Sequence, residues 1–393
     1  MEVSLKKISL LIIMIILITG CNNSRQTNEE AKFSDSDISF IQSNLSSSKL
    51  TPCKETITEH TYEILYTYNI DNILNENGYS KYSLTKFIGY NSDFLYLLIC
   101  NEYNYYSLVV YDRNINKVIE IGSSYKYDFV SNCIAVNIND GHNSKIYLFA
   151  NTYNGDKSIN LDILVFNVDI YNCYNTKYDE PSVIFQEKNI IEPIQSTHIK
   201  SDSINKIAFT CNTIVENNYA DSIYTINIED NSTTNLITTN YNVNNNKYTG
   251  EKIMCIGGIN TLYYQTATLA NENLNEAKNF TINSNSLSNN SSPMPLKYTG
   301  AFSYINGRMD NIFAINNKSN ELQCFSLMNN THTILPIIDS INTLFIDKFY
   351  NENDYIIFNE KSISIFDTVN RTYSSIDCVG DKKEIFISIK TSY

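Results

Sequence analysis

Most of the chain alternates between short apolar runs and polar turns. From about Thr56 onward, runs rich in Tyr, Ile, Val, Phe and Thr are separated by Asn, Asp, Gly and Ser. Such runs predict β-strands, because β-branched and aromatic side chains fit a pleated sheet while the small polar residues favour turns. Almost no stretch keeps the 3.6-residue period of a helix over three turns. The pattern therefore predicts an all-β domain over residues 56–393.

One unit recurs along this domain: an apolar strand that ends in a polar turn residue, usually Asp or Asn. The clearest copies are Leu108–Glu120 and Ile363–Tyr373, in which a basic residue follows the Asp after four or five positions. One or two further strand-like runs lie between successive copies. The longer spacings predict polar surface loops, and the candidates are Asn154–Asn160, Asn240–Lys247 and Leu287–Leu296. The turn residues of the series are spaced by 41 to 60 residues, and they are Asn69, Asp112, Asn167, Asn227, Asn283, Ser326 and Asp367.

Repeats of about 40–50 residues with three or four strands each are typical of β-propeller blades. The unit resembles the degenerate WD40-like and PQQ-like propellers of exported bacterial proteins, from about Tyr62 to the C-terminus, although no copy carries a tryptophan. The resemblance implies a β-propeller, and the count of seven turn residues predicts seven blades, with six or eight as alternatives. A pair of β-sandwich domains is the other all-β interpretation. Pairing of Glu384–Ile389 with the Ile57–Leu65 region is expected to close the ring, because closure leaves no open sheet edge.

The N-terminus has a different pattern: two lysines, Lys6 and Lys7, precede an apolar run over Ile8–Ile18. The run spans about 16 Å as a helix at 1.5 Å per residue, too short for a hydrocarbon core of about 30 Å. This layout is that of an export signal. The sequence Ile18-Thr19-Gly20-Cys21 resembles the lipobox of bacterial lipoproteins, which implies recognition by signal peptidase II and lipid attachment at Cys21. An ordinary signal peptide with an incidental Cys21 is the alternative.

Three segments follow from these patterns. Residues 1–20 form a lipoprotein signal peptide, residues 21–55 form a lipidated flexible tether, and residues 56–393 form the β-propeller domain. The tether prediction depends on the Ser, Asn and Gln content of residues 22–48, which cannot bury enough apolar surface to offset the entropy of ordering. We expect the protein to lie on the extracytoplasmic face of the cell membrane.

The charge of the chain limits its partners. The net charge is −13 and the isoelectric point is near 4.8. An acidic protein is repelled by phosphate backbones and by anionic lipid headgroups, so we expect no nucleic-acid partner. The lipid on Cys21, rather than a basic patch, would then hold the protein at the bilayer, since two acyl chains bind stably where one does not.

Besides Cys21 the chain has eight cysteines. Three of them, Cys100, Cys211 and Cys255, lie inside apolar strand-like runs, and no C-x-x-C pair occurs. Such positions favour buried free thiols that act as small hydrophobic side chains. One or more disulfides among the eight is the alternative, because an exported protein can form them. The other five are Cys53, Cys133, Cys173, Cys324 and Cys378.

The sequence names no reaction. Its four histidines have no metal-ligand spacing, and no nucleophile elbow or glycine-rich phosphate loop is present. We therefore expect neither a cofactor nor a metal and can name no catalytic residue.

The first functional hypothesis is a non-catalytic binding or scaffold module for a protein, peptide or cell-wall partner. The alternative is an exported hydrolase or lyase that acts on glycans in the central funnel. Converging carboxylates at the channel mouth would favour the enzyme, and a tyrosine-lined rim would favour binding.

Overall fold

The computed structural model describes residues 61–392 except for these gaps: 92, 123–124, 137–143, 155–157, 174–179, 193, 202, 216–217, 245–246, 270–277, 288–293, 298–301, 309–310, 317–320, 327–330, 336–344, 349–353, 359–361, 368–371 and 378–383. Cys21, the lipobox residues Ile18, Thr19 and Gly20, and the tether over residues 21–55 lie outside the described residues and stay predictions. Within the described residues, no helix is long and apolar enough to cross a membrane.

The described chain is almost entirely antiparallel β-sheet, arranged as successive four-stranded meanders in which each strand pairs with its neighbour along the chain. Two short helices, α1 (Ile70–Glu76) and α2 (Ile170–Cys173), interrupt the series. The strands are β1 (Thr61–Asn69); β2 (Tyr82–Tyr90), β3 (Phe94–Asn101), β4 (Tyr105–Asp112) and β5 (Lys117–Glu120) of the first meander, with β6 (Tyr125–Lys126) beside β4; β7 (Phe129–Val136), β8 (Ser144–Tyr153), β9 (Ile159–Val168) and β10 (Ser182–Ile190) of the second; β11 (Ser196–Ser201), β12 (Ile204–Val215), β13 (Asn218–Asn227) and β14 (Thr233–Asn244) of the third; β15 (Lys247–Gly257), β16 (Leu262–Leu269), β17 (Lys278–Asn285) and β18 (Met294–Lys297) of the fourth; β19 (Phe302–Arg308), β20 (Asn311–Asn316), β21 (Leu322–Ser326) and β22 (Thr331–Leu335) of the fifth; β23 (Phe345–Lys348), β24 (Asp354–Phe358), β25 (Ser362–Asp367) and β26 (Thr372–Asp377) of the sixth; and β27 (Glu384–Ser392).

The first strands of consecutive meanders lie against one another. Strand β2 contacts β7, β7 contacts β11, β11 contacts β15 and β15 contacts β19. Hydrogen bonds join them: Asn132 Nδ2 of β7 donates to the Ser196 carbonyl of β11 at 3.1 Å, and Thr197 Oγ1 donates to the Gly258 carbonyl after β15 at 2.9 Å. The first strands therefore form the inner wall around which the meanders are arranged.

The two ends of the domain pair with each other. Strand β27 runs antiparallel to β1, with Ile389 opposite Ile64 and Glu384 opposite Asn69, so the pairing extends beyond the expected Ile57–Leu65 region. Four-stranded meanders joined through their first strands and closed by this pair make a β-propeller, which confirms the predicted fold class and the ring closure. The described residues contain six four-stranded meanders and the β1–β27 pair. The number of seven blades stays a prediction.

The second strand of a meander is apolar on both faces, because neighbouring units cover both. In β3, Leu95 and Leu97 pack with α1, whereas Tyr96 and Leu98 pack into a core shared with the second meander. Strand β8 divides its side chains in the same way between the cores on its two sides. Since successive side chains of a strand point to opposite faces, an unbroken apolar run here marks a strand between two cores.

The recurring turn residues have a structural cause. Asp112 ends β4, and its Oδ1 accepts hydrogen bonds from the backbone N–H groups of Asn114 at 2.8 Å and Ile115 at 3.3 Å, which fixes the turn into β5. Aspartate and asparagine favour such turns because a short side chain can bond to the backbone two or three residues on. The other repeat residues from the second meander to the sixth lie at or near the end of each third strand: Asn167, Asn227, Asn283, Ser326 and Asp367.

Two sequence interpretations fail in the structure. Asn69 does not begin a strand turn; its Oδ1 accepts from the Asn72 N–H at 3.0 Å and caps α1, a helix that the sequence analysis missed. The polar stretch Asn240–Lys247 reads as a surface loop, and this prediction is wrong, because β14 continues to Asn244 and β15 starts at Lys247. Pairing with neighbouring strands satisfies the backbone of this stretch and overrides the low strand propensity of asparagine.

Candidate functional site

Strand order determines which connections share an end of the propeller. In an antiparallel meander, the hairpin between the second and third strands lies at the same end as the link to the next meander. We call this end the link end. In the first two meanders it carries the β3–β4 hairpin, the β8–β9 hairpin and residues 127–128 of the link between them.

Four aromatic residues lie at the link end of the first two meanders, and we call them the tyrosine rim: Tyr103 and Tyr105 at the β3–β4 hairpin, and Phe129 and Tyr153 at the link and the β8–β9 hairpin. Tyr103 and Tyr153 are each 64% exposed, and Tyr105 is 37% exposed. The Tyr153 ring packs on Phe129 with centroids 5.4 Å apart. Large exposed aromatic side chains on adjacent loops are typical of interaction surfaces rather than of a core.

The rim hairpins are held in place by hydrogen bonds. Asn101 Oδ1 accepts from the Tyr103 N–H at 2.9 Å and from the Tyr105 N–H at 3.1 Å, which fixes the β3–β4 hairpin. The Tyr153 N–H donates to Asp128 Oδ2 at 2.6 Å, and the Asp128 N–H donates to the Asn151 carbonyl at 3.0 Å. The Tyr127 N–H of the link donates to the Asn104 carbonyl of the β3–β4 hairpin at 3.3 Å. The link is therefore bonded to both hairpins, which need little ordering when a partner binds.

The charges beside the rim are mostly negative. Glu102 and Asp128 are exposed carboxylates at the two sides of the rim. Lys126 is the nearby cation, and its Nζ lies 5.9 Å from the centroid of the Tyr105 ring. Aromatic faces and carboxylates both attract cationic groups, so the surface suits a partner that carries lysine or arginine.

A second cluster lies between the third and fourth meanders at the link end. We call it the polar seam: Glu192, Asn212, Asp221 and Lys252. Lys252 of β15 forms an ion pair with Glu192 of the link before β11, and Asn212 Nδ2 of β12 donates to Glu192 Oε2 at 2.8 Å. Asp221 Oδ2 of β13 accepts from the backbone N–H of Ile253 at 3.0 Å. These contacts tie β12, β13 and β15 together.

The seam contains an acid in an unusual environment. Asp221 is 0% exposed. Burial raises its pKa from the ordinary 3.8 to about 7, although Lys252 and the Ile253 N–H favour the charged form. Within the described residues, Asp221 Oδ1 and Asn212 Oδ1 are both buried without a hydrogen-bond partner. Buried polar atoms without partners need a physical explanation, and the perturbed acid beside them makes the seam a candidate functional position.

The inner wall carries a third polar group. Lys86 of β2 donates to Asn132 Oδ1 of β7, and Asn132 Nδ2 donates to Ser196 Oγ of β11 at 2.6 Å. Burial lowers the pKa of Lys86. This chain of an amine, an amide and a hydroxyl joins three meanders at the centre of the propeller.

His198 makes a local hydrogen bond within a hairpin. His198 of β11 lies in the β11–β12 hairpin, and its Nε2 is 2.7 Å from Asn205 Oδ1. Burial lowers the pKa of His198, so it is neutral at pH 7. His60 and His142 lie outside the described residues, and His332 is on β22.

The six described cysteines are free thiols. Burial raises the pKa of Cys133, Cys211 and Cys255 to about 12, so these thiols stay neutral and pack as hydrophobic side chains. Among the described residues, no group of three or more His, Cys, Asp or Glu side chains could hold a metal ion. Cys53 and Cys378 lie outside the described residues.

Sequence reasoning selected none of the residues of the rim or the seam. A signal for the seam is present: Asn212 and Lys252 are polar residues inside otherwise apolar strand runs. No comparable signal marks the rim, because the 30 tyrosines of the chain serve both the core and the surface.

No family model matches the chain, and no curated protein matches it in sequence. Among solved structures it is similar to prolyl oligopeptidase B from Galerina marginata at 10% identity and a TM-score of 0.43, over 90% of this chain and 53% of that one. It is also similar to Saccharomyces cerevisiae Sqt1 at 13% identity and a TM-score of 0.40, over 76% and 77% of the two chains. The Penicillium chrysogenum α-L-arabinanase matches at 11% identity and 0.40, over 72% and 90%. The chain spans about half the length of the oligopeptidase, and none of these likenesses assigns an activity.

Proposed function

We propose that this protein is a lipid-anchored extracytoplasmic binding module whose tyrosine rim holds a basic segment of a protein or peptide partner. The observation that carries the proposal is the exposure of Tyr103 and Tyr153, 64% each, on two hairpins joined by hydrogen bonds. Fixed aromatic side chains bind with little loss of conformational entropy, and tyrosine combines an apolar ring with a polar hydroxyl.

The charge of the chain supports a cationic partner. The net charge of −13 attracts basic segments over a distance of about 8–10 Å at physiological salt. Close to the rim, Glu102 and Asp128 supply the same sign of charge. Such electrostatics speed association and favour lysine- and arginine-bearing partners over acidic ones.

The anchor is proposed from the sequence. A diacylated Cys21 would hold the propeller at the membrane surface, and the polar tether over residues 21–55 would let the rim reach its partner. The Cys21→Ser variant should lose labelling by a fatty-acid analogue and leave the membrane fraction. Continued labelling of that variant would contradict the lipid attachment, whatever the rim binds.

The rim is tested by crosslinking in the native membrane followed by quantitative capture. Replacing Tyr103 and Tyr153 together with alanine should lower the amount of captured partner at least tenfold, because aromatic side chains at the centre of interfaces carry most of the binding energy. The matched control replaces Tyr90 and Tyr171, which are 47% and 46% exposed at the opposite end of the propeller. Equal capture by both double variants would contradict the proposal.

The same experiment identifies the chemistry of the partner. Capture of a polypeptide that raised salt weakens supports a basic partner. Capture of cell-wall glycan that is insensitive to salt would contradict it and would favour stacking on sugars instead.

The glycan hydrolase is the weaker alternative. Its best support among the described residues is the pair of carboxylates beside Lys252, namely Asp221 and Glu192. A hydrolase needs two carboxyl groups on either side of an accessible bond. Asp221 is 0% exposed, and Glu192 is paired with both Lys252 and Asn212, so the cluster fits a structural role better.

A further inference from the structure

The orientation of the Asn212 amide places an acceptor beside Asp221. Asn212 Nδ2 donates to Glu192 Oε2 at 2.8 Å. The reversed amide would put two acceptor oxygens against each other, so the assigned orientation is the favourable one. Asn212 Oδ1 then points away from Glu192 and is buried without a donor among the described residues.

Asn212 and Asp221 are directly opposite each other on paired strands β12 and β13. Side chains at such positions have Cβ atoms about 4.5–5.5 Å apart and can contact each other. Asp221 Oδ2 already accepts from the Ile253 N–H at 3.0 Å, which leaves Oδ1 as the atom available to Asn212. An ionised carboxylate can only accept, and two buried acceptors facing each other repel.

We propose that Asp221 is the neutral acid in the folded protein and donates its Oδ1 proton to Asn212 Oδ1. This bond closes a ring that runs from Lys252 to Glu192, then to Asn212 and Asp221, and returns through the Ile253 N–H to the strand of Lys252. When the proton leaves for solvent, the ring opens and the seam between the third and fourth meanders loosens. The propeller thus contains a proton-controlled contact at its link end.

The groups packed against Asp221 act in both directions, since Lys252 and the Ile253 N–H favour the charged form while burial and Glu192 favour the neutral acid. Glu192, on the link before β11, disfavours a second negative charge nearby. The cation of Lys252 on β15 is already engaged by Glu192. Cys211 on β12 is a neutral thiol, and Thr239 on β14 faces Asp221 through a hydroxyl that donates to the Asp221 backbone carbonyl at 3.5 Å. Burial is the largest influence on the Asp221 carboxyl and favours the uncharged form.

The test compares the wild type with D221N in the full-length protein. The substituted amide can donate to Asn212 Oδ1 and accept from the Ile253 N–H, so it reproduces the neutral acid without a titrating proton. Difference infrared spectra at pH 6 should show the carbonyl band of a protonated carboxylic acid in the wild type and not in D221N. A wild type without this band, or a band that persists in D221N, would overturn the proposal.

Amide exchange reports the opening of the ring. Protection of the Ile253 N–H, corrected for intrinsic exchange, should fall on the order of tenfold per pH unit between about pH 4 and pH 7 in the wild type and stay level in D221N. D230N is the matched control, because Asp230 is an exposed acid in the β13–β14 turn, and it should behave like the wild type.

If D221N does not fold, the N212L variant replaces it in the infrared experiment. Without the Asn212 acceptor, the acid band should disappear at a lower pH than in the wild type. An unchanged titration in N212L would overturn the proposal.

Discussion

The tyrosine rim and the polar seam lie at the same end of the propeller, and beside each a lysine lies near a tyrosine ring, yet burial gives the two regions opposite roles. In the rim, Lys126 lies 5.9 Å from the Tyr105 ring at the protein surface. In the seam, Lys252 lies 5.7 Å from the Tyr241 ring, but Lys252 is 8% and Tyr241 2% exposed. The pairing geometry is nearly equal, so the difference in solvent access decides whether such a pair can bind a partner or stabilise the fold.

The physical reason is solvent screening. At the rim, water and salt weaken each charge interaction, and the rings remain free to receive another molecule. In the seam, low solvent access strengthens each contact and makes every unpaired polar atom costly. Substitutions in the seam should therefore change stability, and substitutions in the rim should change binding.

The largest expected effect is the pH dependence of stability contributed by Asp221. Its pKa rises from 3.8 to about 7 on folding, so the folded state holds the proton more tightly than the unfolded state. The resulting stabilisation is complete below pH 4 and is lost as the pH rises to about 7, at about 1.4 kcal/mol per pH unit and on the order of 4 kcal/mol in all. Urea unfolding from pH 4 to 8 should show this slope in the wild type and in D230N but not in D221N. Parallel curves for the wild type and D221N would remove the distinction between seam and rim.

The next effect compares two tyrosines. Tyr241→Ala removes a ring that is 2% exposed and stacked on Tyr219 at 4.8 Å, and it should lower the free energy of unfolding by about 3 kcal/mol. Tyr153→Ala removes a ring that is 64% exposed and should change it by less than about 0.5 kcal/mol. Denaturant midpoints of the two variants measure the contrast. Similar losses for both would show that the rim is part of the core.

The smallest effect compares two lysines that each lie over a tyrosine. Lys252→Met should cost about 1–2 kcal/mol, less than a fully buried ion pair, because its partner Glu192 is 41% exposed and can be solvated by water. Lys126→Met should leave stability within about 0.5 kcal/mol and raise the capture of a basic partner slightly, because it removes a like charge beside the rim. Chemical unfolding checks the first value, and the capture experiment on the rim checks the second. A larger loss of stability at Lys126 would contradict the surface assignment.

The fold was predictable because its signals are local and repeated. The apolar runs that become second strands and the Asp or Asn residues that end third strands recur along the chain, and both follow from strand periodicity and turn chemistry. Two predictions failed where local and tertiary preferences disagree. Asn69 is expected to end a strand in a turn, but it caps helix α1. Residues Asn240–Asn244 are expected to form a loop, but they continue β14 because β13 and β15 pair with this strand.

The residues of the rim and the seam could not be separated by sequence. Asp221 and Asp230 lie nine positions apart on one hairpin, yet the first is buried at the seam and the second is exposed in the turn. Their difference arises from the approach of β15 and of the link that carries Glu192, both distant in sequence. Burial depends on such long-range contacts, and burial decides whether a carboxyl group is charged.

The sequence by itself determined the strand pattern, the repeat, the ring closure and the acidic charge, because these depend on residue type and spacing along the chain. It also provides the lipobox-like Cys21 motif on which the proposed anchor depends. Only the tertiary structure decided which tyrosines form an exposed rim and which acid is held neutral in a seam. The reason is that solvent access is set by neighbouring meanders, and solvent access determines the energy of every ring and charge at the link end.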